Sequence, residues 1–125
     1  MSPKLNITAV ELWEQNVEIL KDNYDNVIHA DFLQFESKNC YDAVIANPPF
    51  NMQHCEIDHT YKAFSMLNKG GRMAVIVGSG CLTNSRKKET AFQAWLEEHN
   101  AIIEQLPAGT FDDTEVTTSL ILLER

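Results

Sequence analysis

The chain has 125 residues, 44% of them hydrophobic, enough for one modest core and short for more than one ordinary domain. Ten basic residues against eighteen acidic ones leave a net charge of −8, a poor balance for a stand-alone nucleic-acid binder, whose affinity comes largely from neutralising phosphate. No apolar run approaches a membrane span of about 18 residues and no signal peptide is visible, while three cysteines (Cys40, Cys55, Cys81) without Cys-x-x-Cys spacing suit a reducing cytoplasm.

In chain order, Ile7-Thr8-Ala9-Val10-Glu11-Leu12 reads as a strand closing on an acidic residue. Trp13, Val17, Leu20 and Tyr24 follow at spacings of four, three and four, which predicts a helix with one apolar face. A second strand over 27–30 runs into Asp31-Phe32. Tyr41-Asp42-Ala43-Val44-Ile45-Ala46 reads as a buried strand that ends in Asn47-Pro48-Pro49-Phe50. Ile57, Tyr61, Phe64 and Leu67 line a second helix that Asn68-Lys69-Gly70-Gly71 is expected to stop. Residues 72–77 form a continuous apolar strand, and Phe92, Trp95, Leu96 and His99 mark a third helix capped by Asn84 or Ser85. Strands over 102–106 and 117–123 complete the series as antiparallel neighbours. No repeat, linker or low-complexity tract interrupts it, so residues 1–125 read as one domain.

The most informative four residues are Asn47-Pro48-Pro49-Phe50. Strand ends of this kind are where open α/β sheets bind ligands. The Asn47 carboxamide oxygen is an acceptor, and consecutive prolines fix φ and hold the Pro48 carbonyl in a rigid direction. Together these two acceptors take both hydrogens of a planar amino group, oppose conjugation of its lone pair and leave a better nucleophile without a general base. Phe50 offers a face on which a flat substrate stacks. His54-Cys55 with His59 lacks a fourth candidate ligand, so no metal site is expected.

The quartet resembles the catalytic motif of the class I S-adenosylmethionine (SAM)-dependent amino-methyltransferases, which include the N6-adenine DNA methyltransferases and the N5-glutamine protein methyltransferases. On that resemblance Glu11 is the strand-terminal acid that binds the cofactor's ribose hydroxyls. Asp31 and Phe32 form the turn that contacts its adenine, and Asn47 borders the cofactor as well as the substrate. Leu106-Pro107-Ala108-Gly109-Thr110-Phe111 followed by Thr114-Glu115-Val116-Thr117-Thr118-Ser119 is similar to the C-terminal hairpin of adenine methyltransferases, both modification subunits and the methylases of phages and plasmids, although those carry Gly where this chain has Glu115. Glutamine methyltransferases usually have Tyr after the two prolines and lack this hairpin, so the resemblance points to adenine in DNA. Arg86, Lys87 and Lys88, the only basic cluster, lie where a contact to DNA is expected.

The fold this implies is α/β: an incomplete Rossmann-like SAM methyltransferase sheet, mostly parallel, with an antiparallel C-terminal strand. It is incomplete because the family's first motif, a strand running into a Gly-rich turn, has no counterpart: the five glycines are Gly70, Gly71, Gly78, Gly80 and Gly109. Gly78-Ser79-Gly80 stands after the catalytic motif, in the wrong order to replace it. The domain therefore reads as truncated or completed by another chain. SAM binding is expected to be weak or absent in this chain alone, and with it activity. The strands ending at Glu11 and Ala46 are expected to flank the missing central strand and to favour a homodimer or a completing partner. Two alternatives stand beside the enzymatic reading: a non-catalytic methyltransferase remnant acting by association, and a fragment of an N5-glutamine methyltransferase.

Overall fold

Short β-branched and apolar runs form strands at each expected place. In the computed structural model, which describes residues 7–11, 13–24, 26–36, 40–48, 55–107 and 117–125, they belong to two compact units, Met1–Glu36 and Ser37–Arg125.

In the first unit β1 (Thr8–Glu11) and β2 (Asn26–His29) pair in parallel, with Thr8 opposite Asn26 and Glu11 opposite His29. The Asn26 amide donates to Thr8 Oγ1 at 2.8 Å, and Ala30 N–H continues the ladder to the Glu11 carbonyl at 2.9 Å. Between the strands runs α1 (Glu14–Lys21), with Glu14 in its first turn and Lys21 in its last, the arrangement the helix dipole favours. The helix is shorter than its apolar spacing suggested. Val17 is buried and Leu20 half-buried, but Trp13 is the extended N-cap residue, 60% exposed, and Tyr24 lies beyond the C-cap. Eight residues make only about two turns, so the outer two members of the stripe fall off its ends.

In the second unit β3 (Tyr41–Ala46), β4 (Leu67–Gly78), β5 (Ile102–Gln105) and β6 (Thr118–Glu124) form one sheet in the order β3-β4-β6-β5. β3 is parallel to β4, and β6 is antiparallel to both β4 and β5. The parallel pairs and the antiparallel last strand are those expected from the sequence. Alternation along β4 and β6 sends Met73, Val75, Val77, Ile121 and Leu123 to a buried face. Above it pack α2 (Cys55–Ser65), through Ile57 and Ala63, and α4 (Lys87–Glu98), through Phe92 and Leu96. The two helices lock together by rings: Tyr61 meets Phe92 and Trp95 edge-on at 5.7 and 5.0 Å, and Phe64 meets Trp95 at 5.1 Å. A one-turn helix, α3 (Gly80–Thr83), joins β4 to this layer.

Three sequence expectations are corrected. The second helix stops at Ser65, and Leu67 begins β4 rather than ending the helix. Residues 68–71 are taken up where the register slips between Tyr41 opposite Leu67 and Ala43 opposite Arg72. Gly70 turns there at φ +83°, and Arg125 closes the end of α2 by donating to the Ser65 and Leu67 carbonyls at 2.9 Å. The third helix is capped by neither Asn84 nor Ser85. Arg86 is its N-cap residue, and Asn84 Oδ1 instead accepts from Arg86 N–H at 2.9 Å, fixing the turn before the helix. Finally, β3 is not buried on both faces: Ile45, on the face turned away from α2 and α4, is 88% exposed. Among the described residues no helix is long and apolar enough to cross a membrane.

Candidate functional site

The parallel ladder of the first unit carries two carboxylates to the same end. Glu11 is the last residue of β1, and Asp31 lies two residues beyond His29, its register partner's strand end. Glu11 Oε1 accepts from Trp13 N–H at 3.1 Å and from the Asn16 amide at 3.4 Å. Among the described residues both donors fall on Oε1. Asp31 Oδ1 accepts from Leu33 N–H at 3.0 Å and so caps the short 3-10 turn Phe32–Gln34. Phe32 is half-buried and stacks on Phe35 with centroids 6.5 Å apart. The turn thus offers a fixed carboxylate beside an aromatic edge. Carboxylates suit a ribose diol, each oxygen accepting one hydroxyl, and the flat apolar group suits a purine.

In the second unit β3 delivers Asn47 and Pro48 at its carboxyl end, with Asn47 exposed and Pro48 buried. Burial of the proline anchors the backbone while the carboxamide remains accessible. Pro49, Phe50 and His54 lie outside the described residues, as do residues 108–116 of the C-terminal hairpin. Of the basic cluster, Arg86 and Lys87 are exposed, whereas Lys88 Nζ is paired with Asp58 Oδ2 at 2.9 Å and bridges α4 to α2. An exposed pair of this kind is worth about 0–1 kcal/mol. His59 Nδ1 lies 2.9 Å from the Cys55 carbonyl, one helical turn back. Gly78-Ser79-Gly80 is not an open cradle: Ser79 donates through both N–H and Oγ to the Thr117 carbonyl, at 2.9 and 2.7 Å, and Gly80 starts α3.

Two carboxylates escaped the sequence reading. Glu56 and Glu89 are 1% and 3% exposed in the first turns of α2 and α4. An acidic residue there signals only a helix start, so nothing in the pattern marked them as buried. They flank Cys81, whose thiol is pushed up to about 12 by burial first, then by the Glu56 charge and, more weakly, by Glu89. Cys81 Sγ donates to the Gly78 carbonyl at 3.1 Å. Tyr61 is also raised, chiefly by burial and then by Asp58, with Lys88 opposing.

The strand ends of the first unit therefore present carboxylate acceptors beside a ring edge, and the end of β3 in the second unit presents an exposed carboxamide. A family model described as the methyltransferase small domain matches residues 3–104. No curated protein matches the sequence. Among solved structures, the type I restriction-modification methyltransferase subunit of Streptococcus thermophilus aligns over 94% of this chain and 33% of its own, with TM-score 0.81 and 19% identity. The M protein of the type I restriction enzyme EcoKI aligns over 95% and 31%, with TM-score 0.74 and 20% identity. The plantazolicin methyltransferase BpumL, solved with a desmethylPZN analog and SAH, aligns over 96% and 67%, with TM-score 0.62 and 13% identity. The chain spans about a third of the length of the first two, and likenesses at these identities are likenesses of fold.

Proposed function

Since the chain belongs to the methyltransferase small domain family, we propose that residues 1–125 act as one catalytic domain in SAM-dependent methyl transfer to the exocyclic N6 of adenine in DNA, in the cytoplasm. The observation that carries this reading is Asn47-Pro48, exposed amide before buried proline, at the carboxyl end of β3. Restriction-modification subunits among the similar folds support DNA as the substrate, and the SAH held by BpumL supports the cofactor.

The residues present fit SAM at its nucleoside end. Glu11, its Oε1 steadied by Trp13 and Asn16, would hold the ribose hydroxyls through Oε2. Asp31 and Phe32, fixed by the 3-10 turn, would contact the adenine. SAM, when bound, supplies a methyl group made electrophilic by its sulfonium. The target base is turned out of the helix and stacked on Phe50, with Pro49 stiffening the segment between. Asn47 Oδ1 and the Pro48 carbonyl accept the two amino hydrogens, which holds the nitrogen pyramidal and aims its lone pair. No side-chain base would be required: the neutral amino nitrogen would take the methyl group with its lone pair, the C–S bond would break to leave neutral S-adenosylhomocysteine, and the acidic ammonium so formed would pass its proton to water. Arg86 and Lys87, both exposed, would meet phosphate, while Lys88 is engaged in the α2–α4 bridge.

The test is incubation of the full chain with DNA and deuteromethyl-SAM at about 1 mM, chosen for a weakly held cofactor, followed by mass spectrometry of the nucleosides. Only trace label on N6 of adenine is expected, in keeping with weak cofactor binding by this chain alone, and none with Asn47→Ala. Label on RNA or on protein glutamine instead would reassign the substrate. No label from the wild-type chain would favour the non-catalytic reading, a chain acting by association.

A further inference from the structure

The face of the four-stranded sheet turned away from α2 and α4 is an ordered apolar surface. Register places Ile45, Ala74, Leu122 and Ile102 side by side in one row across β3, β4, β6 and β5. Ile45 is 88% exposed, Ile102 64% and Leu122 39%. A second row on the same face pairs Ile76 with Leu120, both half-buried. On the other flank Arg72 stands opposite Glu124, an ion pair at 3.9 Å with both side chains largely in water. A contiguous apolar patch framed by charges in this way marks a docking surface.

We infer that this face packs against the same face of a second copy of the chain, about a two-fold axis lying parallel to the strands between β4 and β6. The argument is complementarity. That axis lays β4 of one copy over β6 of the other and β3 over β5, in the same row. Ile45 then meets Ile102 of the second copy, and the small Ala74 lies under its Leu122, so a groove receives a ridge. Arg72 lies over Glu124 of the second copy and Glu124 over its Arg72, turning two exposed pairs into a closed four-charge network. An in-plane axis across the strands would instead drive Arg72 onto Ile76 and Glu124 onto Leu120, stranding charges on apolar side chains. The chosen axis gives the aligned packing usual for two sheets, and their twist displaces the corners more than the central Ala74 and Leu122. Glu104, on the row of Leu120, falls at the rim. The net charge of −8 opposes association at long range, and salt weakens that repulsion. This contact uses the sheet face, whereas the sequence suggested pairing through strand edges.

The experiment is sedimentation of the full chain at up to about 100 μM, concentrations at which an interface of standard size associates. The wild type is expected to dimerise. Arg72→Glu alone and Glu124→Arg alone should each weaken the dimer by about tenfold or more, since each places like charges opposite each other twice. Mixing the two variants should restore a dimer, because every facing pair is then of opposite sign. Both positions are exposed, and circular dichroism verifies that the variants fold. A wild-type monomer over the whole range would overturn the inference and leave the face to a different protein. A dimer indifferent to both reversals, or no recovery on mixing, would overturn it equally.

Discussion

At Asn47 an exposed carboxamide precedes a buried proline, and on the proposed reading it holds the target amino group, so removal of the carboxamide should strike the chemistry more than cofactor binding. Asn47→Ala is expected to lower methyl transfer by about a hundredfold or more, the scale on which single aimed hydrogen-bond partners act. Glu11→Ala should do the converse, raising the SAM concentration needed for half-maximal rate about tenfold or more through lost hydrogen bonds to a charged group. A steady-state titration of SAM for the two variants separates these effects, and equal losses in both parameters for both variants would refute the division of labour. Cys81 carries a different prediction. Its thiol is raised from 9.0 to about 12 in the folded chain, so the unfolded state gives up the proton first as pH rises. Stability fully present below pH 9 is therefore lost progressively toward pH 12. Denaturant unfolding across that window should show the decline, and Cys81→Ala should flatten it; an unchanged slope would mean another group titrates.

The start of β4 shows what an element demands of its residues. Gly70 sits at φ +83° with open space around it, so Gly70→Ala meets only backbone strain, about 1 kcal/mol. A Cβ on Gly71 would stand 2.9 Å from the Asn68 carbonyl and 3.2 Å from those of Asp42 and Tyr41, so Gly71→Ala must displace backbone and should cost more, about 2 kcal/mol. Unfolding midpoints ranking the two the other way would contradict the register slip. These glycines also explain where the sequence misled. Read locally, Asn-Lys-Gly-Gly is a helix stop, and the stripe from Ile57 carried on to Leu67. The stop came earlier because Arg125, distant in sequence, caps Ser65 and Leu67, and a long-range cap leaves no local mark. The strands themselves were legible, since apolar runs such as 72–77 have no competing period. Glu11, Asp31 and Asn47 could be placed on the fold for a related reason: Glu11 closes β1, Asp31 stands two residues past β2 and Asn47 follows β3, and a strand end is visible in the pattern. Burial was less legible. Alternation says which residues share a face but not whether anything covers it, and Ile45, read as buried, is exposed.

Taken as a whole, the chain holds two strand-end arrays, one of carboxylates on β1 and β2 and one of acceptors on β3, each built by parallel pairing. On the proposed reading Glu11, Asp31 and Phe32 address the nucleoside half of SAM, and a ligand held through that half alone, without several further hydrogen bonds of about 1 kcal/mol each, binds near millimolar. The direct measurement is an amide NMR titration of the full chain with SAM to about 5 mM. Trp13 N–H and Leu33 N–H, bonded to Glu11 and Asp31, are built-in reporters. The account predicts shifts concentrated at those two amides and their neighbours, saturating only near millimolar SAM and abolished at Trp13 by Glu11→Ala. Tight micromolar binding with shifts centred on residues 78–80, or silence at Trp13 and Leu33 throughout, would contradict it.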